Sequence, residues 1–140
     1  MPTLNTAQRP SVVLADDNTE LLVELRHMLE PHFNVVATVD NGASLVRVVE
    51  TLEPDLAVVD VSMPKLGGIE AVEKLGEATS TKVVFLTMHQ EAAIVKRALS
   101  TGAFGYVLKV RAYSDLVAAL KEALHKRRFI SSLLRAKFDN

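Results

Sequence analysis

Cysteine and tryptophan are both absent from the 140 residues. Without cysteine there is no disulfide, no thiolate metal site and no cysteine nucleophile, and the absence fits a reducing compartment. Aromatic residues make up only 5% of the chain, so aliphatic side chains must fill the core that a 49% apolar composition allows. There is no excess of positive charge: 16 basic residues stand against 17 acidic ones, a formal net charge of −1. General affinity for nucleic acid needs a basic face and is not expected. No apolar run approaches the ~20 residues of a membrane span, so no membrane association is expected. The first ten residues are polar, contain Pro2 and Pro10 and lack an apolar signal core. Residues 1–10 read as a flexible lead-in.

What the chain does have is a series of short apolar runs, each ending in a polar residue. Val12-Val13-Leu14-Ala15 leads to Asp16-Asp17, Leu56-Ala57-Val58-Val59 to Asp60, Val83-Val84-Phe85-Leu86 to Thr87, and Phe104-Gly105-Tyr106-Val107-Leu108 to Lys109. Such runs read as strands buried on both faces of a parallel sheet. Strands are expected over 11–15, 33–39, 56–60, 82–87 and 104–108. Helical stripes lie between them, over 18–30, from about 45 to 52, up to about 75, over 90–100, and around Leu116, Leu120, Ala123 and Leu124. Pro31 stops the first helix, and Asn41-Gly42 is a turn signal. Five strands alternating with five helices over short connections require repeated βαβ units with right-handed crossovers. The length fits one domain, here 11–126. Segment 127–140 carries Phe129, Ile130, Leu133, Leu134 and Phe138 at roughly helical spacing and reads as a C-terminal extension or the start of a linker.

In an open α/β sheet, ligands sit at the carboxyl ends of the strands. Asp16, Asp17, Asp60, Thr87 and Lys109 would then share one edge. Clustered carboxylates repel, and a divalent cation relieves the repulsion. Magnesium favours oxygen ligands and often takes one or two carboxylates plus phosphate oxygens. Asp17 and Asp60 are the expected direct ligands, with Asp16 acting through water or orienting the site and the backbone carbonyl of Ser62 completing the set. A carboxylate also attacks phosphorus to give an aspartyl phosphate, and Asp60 is the candidate, with Lys109 balancing the added charge and Thr87 donating to a phosphoryl oxygen. Each residue has an ordinary alternative: an Asp pair that caps a helix, a turn-forming Asp, a strand-ending Thr, a solvated Lys. The shared position at successive strand ends favours the joint functional reading.

At these residues the chain resembles the response-regulator receiver domains of two-component signalling. The elements are Val-Leu-Ala-Asp-Asp at 13–17, Pro-Asp-Leu-Ala-Val-Val-Asp-Val-Ser-Met-Pro at 54–64, Gly67-Gly68, Phe-Leu-Thr-Met-His at 85–89 and Gly-Ala-Phe-Gly-Tyr-Val-Leu-Lys at 102–109. The resemblance implies a flavodoxin-like (βα)5 doubly wound parallel sheet of strand order 2-1-3-4-5. It implies Asp60 as phospho-acceptor, Asp16 and Asp17 as the acidic pair with Mg2+, Thr87 as switch hydroxyl, Lys109 as phosphate contact, and Tyr106 as the aromatic that turns inward when Thr87 moves, the plainer alternative for Tyr106 being a half-buried strand aromatic that does not move. Ser62 and His89, two residues after Asp60 and Thr87, lie where receivers tune the lifetime of the acyl phosphate; a solvent-facing His89 of little effect is the plainer alternative. Many receivers have proline after the lysine. Val110 here leaves the following loop open and, with Ala-Asp-Asp and Leu-Thr-Met-His, is similar to the NarL/FixJ type, which usually precedes a LuxR-type helix-turn-helix domain.

The implied partners are a sensor histidine kinase and a weak or phosphorylation-dependent second copy, and the implied location is cytoplasmic. The domain is expected to signal rather than to act as an enzyme and to bind no nucleic acid directly. The expectation is a receiver cut from a longer regulator, with a stand-alone receiver whose tail folds back on its core as the alternative. An aspartate-nucleophile phosphatase generally has a second Asp two residues on, where this chain has Ser62. A flavin or nucleotide module needs a Gly/Ser/Thr-rich loop after the first strand, where Asp16-Asp17 stand. A scaffold that binds no metal sits poorly with the complete acidic set.

Overall fold

The computed structural model describes residues 9–138. The lead-in expected over 1–10 therefore lies almost wholly outside the described residues. Strands β1 (Ser11–Ala15), β2 (Asn34–Val39), β3 (Leu56–Val59), β4 (Lys82–Thr87), β5 (Gly105–Leu108) and β6 (Phe129–Ile130) form one sheet of order β2-β1-β3-β4-β5-β6, and every pairing is parallel. Helices are α1 (Thr19–Leu29), α2 (Gly42–Leu52), α3 (Gly68–Leu75), α4 (Ala92–Ser100), α5 (Ala112–Leu124) and α6 (Ser132–Phe138). The strand order expected for the first five is present.

The alternation of side chains along a strand divides the core in two. Val13, Ala15, Ala57, Val59, Phe85, Tyr106 and Leu108 pack on one face against α2, α3 and α4, and against Leu134 of α6. Val12, Leu14, Leu56, Val58, Val84, Leu86 and Val107 pack on the other against α1 and α5. Because β1, β3, β4 and β5 are buried on both faces, their sequences are apolar throughout rather than alternating.

The sequence predicts five strands and the sheet has six. Phe129 and Ile130 pair with Gly105 and Tyr106, while the helical spacing continues only from Ser132. A two-residue strand is too short to show a period of its own, which is why it merges into the helical pattern of the tail. Three local expectations also shift. Asn41 is not a turn residue but the cap of α2, its Oδ1 accepting from Ser44 N at 2.8 Å. Phe33 precedes β2 and is buried in the core, its amide bonded to Leu29 O. Helix α4 begins at Ala92 rather than Gln90, because the loop before it is tied to the strand ends. No helix among the described residues is long and apolar enough to cross a membrane.

The turn from β3 into α3 is unusually tight. Gly68 N donates to Val61 O at 2.8 Å, Gly42 N donates to Leu66 O at 3.0 Å, and Leu66 takes φ +133°. A Cβ at Gly68 would fall inside the Asp60 backbone carbonyl, so only glycine allows α3 to start this close to β3. Gly68→Ala is expected to destabilise the fold by about 1–3 kcal/mol through overpacking, read as a lower midpoint in urea unfolding.

Candidate functional site

Register explains why the acidic residues meet. Ala15 pairs with Val59, and the ladder runs one residue further: Asp60 N donates to Ala15 O at 2.9 Å and Asp16 N to Val39 O at 3.0 Å. Asp16 and Asp60 therefore leave adjacent strands at the same level. They continue the side-chain parity of Leu14 and Val58, toward the face covered by α1 and α5. Lys109 continues the parity of Val107 on the same face, whereas Thr87 follows Phe85 on the opposite face.

The carboxylates of Asp16, Asp17 and Asp60 offer ligand atoms that all lie within 4.8 Å of one another. Asp16 and Asp60 are buried and Asp17 is exposed. The Lys109 ammonium bridges the two buried groups, 2.8 Å from Asp16 Oδ2 and 3.2 Å from Asp60 Oδ2. One ammonium among three carboxylates leaves a surplus of two negative charges, and all the offered donors are oxygens. That donor set fits a hard divalent cation such as magnesium.

The electrostatics follow from this crowding. Burial, then the neighbouring charge of Asp16, raises the proton affinity of Asp60; Lys109 and the Ser62 backbone amide oppose the rise without cancelling it. For Lys109, burial works against the charge, but the hydrogen bond to Asp16 and the charges of Asp60 and Asp16 outweigh it and hold the ammonium above its ordinary value. The helix-capping alternative for the Asp pair does not describe this loop. Asn18 caps α1 by accepting from Leu21 N at 3.1 Å, and Asp16 Oδ1 accepts from Asn18 N at 2.9 Å.

Around this centre stands a second set of polar groups. Thr87 is fully buried, and its hydroxyl accepts from His89 N at 3.3 Å. The Tyr106 ring is buried beside Phe85, centroids 6.4 Å apart, and its hydroxyl donates to the His89 carbonyl at 2.8 Å. The ring thus already lies inside the molecule, and burial raises the proton affinity of the phenol. Ser62 Oγ and His89 Nε2 share a hydrogen bond of 2.7 Å, and His89 Nδ1 lies 3.4 Å from Glu91 Oε2. His89 is therefore held on both ring nitrogens. Glu91 was not among the sequence candidates: a lone glutamate ahead of a helix looks like a solvated residue, and only its +2 offset from His89 could have flagged it. The chain after Lys109 continues as a short 3-10 turn, Lys109–Arg111, directly into α5, leaving Val110 exposed.

A family model described as "Response regulator receiver domain" matches residues 12–121. Among curated proteins, the transcriptional regulatory protein PdtaR of Mycobacterium tuberculosis is 32% identical over 87% of this chain and 60% of its own length. The nitrate/nitrite response regulator protein NarL of Escherichia coli K12 is 30% identical over 94% of this chain and 62% of its own. The chain thus spans about three fifths of the length of these relatives. A crystal structure of a LuxR-family two-component response regulator from Aurantimonas sp. SI85-9A1 superposes with a TM-score of 0.86 at 30% identity, covering 92% of this chain and 94% of that one.

The raised proton affinity of Asp60 has a sign for stability. A carboxyl whose folded pKa lies above its unfolded value favours folding while it is protonated, and that advantage is lost as pH rises through the folded pKa. At neutral pH the ionised Asp60 is therefore a cost. Without metal, Asp60→Asn is expected to raise the melting midpoint by about 2–5 °C. Magnesium should raise the wild-type midpoint by binding the folded state and have little effect on the variant. Thermal scans in chelator and in magnesium read both.

Proposed function

The chain belongs to the response regulator receiver family, and on that premise we propose that Asp60 accepts a phosphoryl group from a sensor histidine kinase and thereby alters an interaction surface of the domain. The observation that carries this reading is the convergence of Asp16, Asp17 and Asp60 at the strand ends, with the Lys109 ammonium bridging Asp16 and Asp60. In the transfer, an Asp60 carboxylate oxygen attacks phosphorus, the P–N bond to the kinase histidine breaks, and that nitrogen keeps the electron pair. Asp17, Asp60 and the Ser62 carbonyl would hold Mg2+, with Asp16 acting through water, and the ion would supply charge neutralisation for the phosphoryl oxygens. Lys109 is within reach to transfer part of its hydrogen bonding from Asp60 to the phosphoryl group. Positioning and charge are most of what such a transfer asks of a protein.

Thr87 is the switch hydroxyl in this reading. Drawn to a phosphoryl oxygen, it gives up its bond to His89 N, and His89 O is the partner of Tyr106. Ser62, His89 and Glu91 stand at the same mouth and set how readily water reaches the acyl phosphate. Domains of this family are generally signalling modules rather than enzymes, and we read this one so, cytoplasmic and without direct contact to nucleic acid. The curated relatives PdtaR and NarL are longer than this chain and both are named as regulators, and a LuxR-family regulator shares the fold, so the output is assigned to a DNA-binding domain in the full protein, with a weak or phosphorylation-dependent dimer as the regulated state. The packing of β6 and α6 onto β5 favours, as second reading, a stand-alone receiver working in a phosphorelay or through protein contacts.

Incubation with acetyl phosphate and magnesium is expected to add one phosphoryl group by intact mass, and Asp60→Asn is expected to abolish the addition. Labelling that survives this substitution overturns the assignment. Ser62→Ala and His89→Ala are each expected to change the decay rate of the phosphorylated form by about tenfold, or ~1.4 kcal/mol in the barrier, measured by the return of the unmodified mass.

A further inference from the structure

Lys109 is the cation between Asp16 and Asp60, on a long and flexible side chain. Its ammonium reaches both carboxylates, at 2.8 and 3.2 Å, only while the backbone beneath it stays in place. That backbone is the junction of β5 with the 3-10 turn Lys109–Arg111, which Ala112 N closes by donating to Lys109 O. Val110, in the middle of the turn, is 78% exposed, so packing of its side chain does not fix the junction.

Both flanks of Lys109 lead instead to one buried carboxylate, that of Asp115 in the first turn of α5. Before Lys109, Leu108 N donates to Ser131 Oγ at 3.1 Å, and the fully buried Ser131 hydroxyl donates to Asp115 Oδ2 at 3.1 Å. Strand β6 has ended at Ile130, and Ser131 extends the pairing by one step: its amide donates to Tyr106 O at 3.0 Å and its hydroxyl takes the last outward amide of β5. After Lys109, Arg111 Nε lies 3.6 Å from the same Asp115 Oδ2. The other oxygen, Oδ1, has Ser114 Oγ at 3.3 Å. One carboxylate oxygen therefore faces both donors at once, and through them it ties the residue before Lys109 and the residue two after it to a single point on α5.

Stability alone does not account for this arrangement. Well-packed apolar residues generally serve stability as well as a buried ion pair does. Here the pair also leaves Arg111 Nε as the only buried side-chain nitrogen or oxygen among the described residues without a hydrogen-bond partner, since 3.6 Å is a charge contact and too long for a hydrogen bond. What polar ties supply, and apolar contact does not, is a fixed direction and level. We propose that Asp115, acting through Ser131 and Arg111, is the positioning residue for Lys109. It holds the start of the turn at the level from which the ammonium spans Asp16 and Asp60. The consequence for phosphoryl transfer rests on the phospho-acceptor reading; the placement of the ammonium does not. A displacement of ~1 Å is enough to slow a reaction that depends on position.

Two measurements test this. The first follows the Lys109 Cε–Hε signal by NMR in chains carrying carbon-13 lysine, in chelator, assigned by its loss in Lys109→Met. Ser131→Ala and Asp115→Ala are each expected to move that signal toward the position of solvent-exposed lysines while the other lysine signals stay. Arg111→Gln, at a half-exposed site that does not threaten the fold, is expected to give a smaller shift in the same direction. The second follows labelling by acetyl phosphate and magnesium through intact mass. Ser131→Ala and Asp115→Ala should slow it about tenfold, and should slow it no further in a Lys109→Met background. A Lys109 signal at its wild-type position in the alanine variants, or in Arg111→Gln if neither of them folds, overturns the proposal. So does an equal loss of labelling rate with and without Lys109. A wild-type chain that takes no label overturns the phospho-acceptor reading alone, and the Lys109 signal still decides the positioning role.

Discussion

Two carboxylates are buried side by side at the end of a parallel sheet, with a single ammonium between them. The polar groups at the ends of β1, β3, β4 and β5 are gathered around that conflict. The register of β1 on β3 forces Asp16 and Asp60 to the same level, and Lys109 at 2.8 and 3.2 Å relieves part of the repulsion. What it leaves is a deficit of positive charge at a place where the backbone is rigid. Burying charge without full compensation is unfavourable, and a site of this kind is stabilised by whatever brings the missing charge. The fold tolerates the conflict because the strands beneath it are apolar on both faces and continuous with the core.

The main architecture was legible because it rests on runs of apolar residues and on the polar residue that ends each run. Those ends place Asp16, Asp60, Thr87 and Lys109 without any knowledge of packing. What was not legible depends on contacts between residues far apart in the chain. Ser131 and Asp115 look like ordinary helix-end polar residues until the tail folds onto β5. Glu91 gains meaning only once His89 turns its second nitrogen toward it. Asn41 beside a glycine carries the pattern of a turn, and only the direction of the following helix shows it to be a cap. The inward placement of Tyr106 depends on a carbonyl seventeen residues earlier, which no periodicity reveals.

The loops show a division of labour. The β3–α3 turn is fixed by backbone: Gly68 against the Asp60 carbonyl, Gly42 against Leu66, and Leu66 itself in a left-handed conformation. The β4–α4 loop is instead fixed by side chains of Thr87, Tyr106, Ser62 and Glu91, all of which meet at His89. Hydrogen bonds between side chains and loop backbone exchange partners at low cost, whereas a steric stop at a glycine does not. Asp60 is thus held by the unyielding loop, and Thr87 and His89 occupy the yielding one.

The sixth strand has a colloidal meaning as well as a conformational one. Without Phe129 and Ile130, β5 would be the border of the sheet, a row of unpaired amides and carbonyls with tyrosine, valine and leucine alongside. Such borders template pairing between molecules. Two paired residues are enough to cover it at Gly105 and Tyr106, and their cover keeps one molecule from becoming the template for the next.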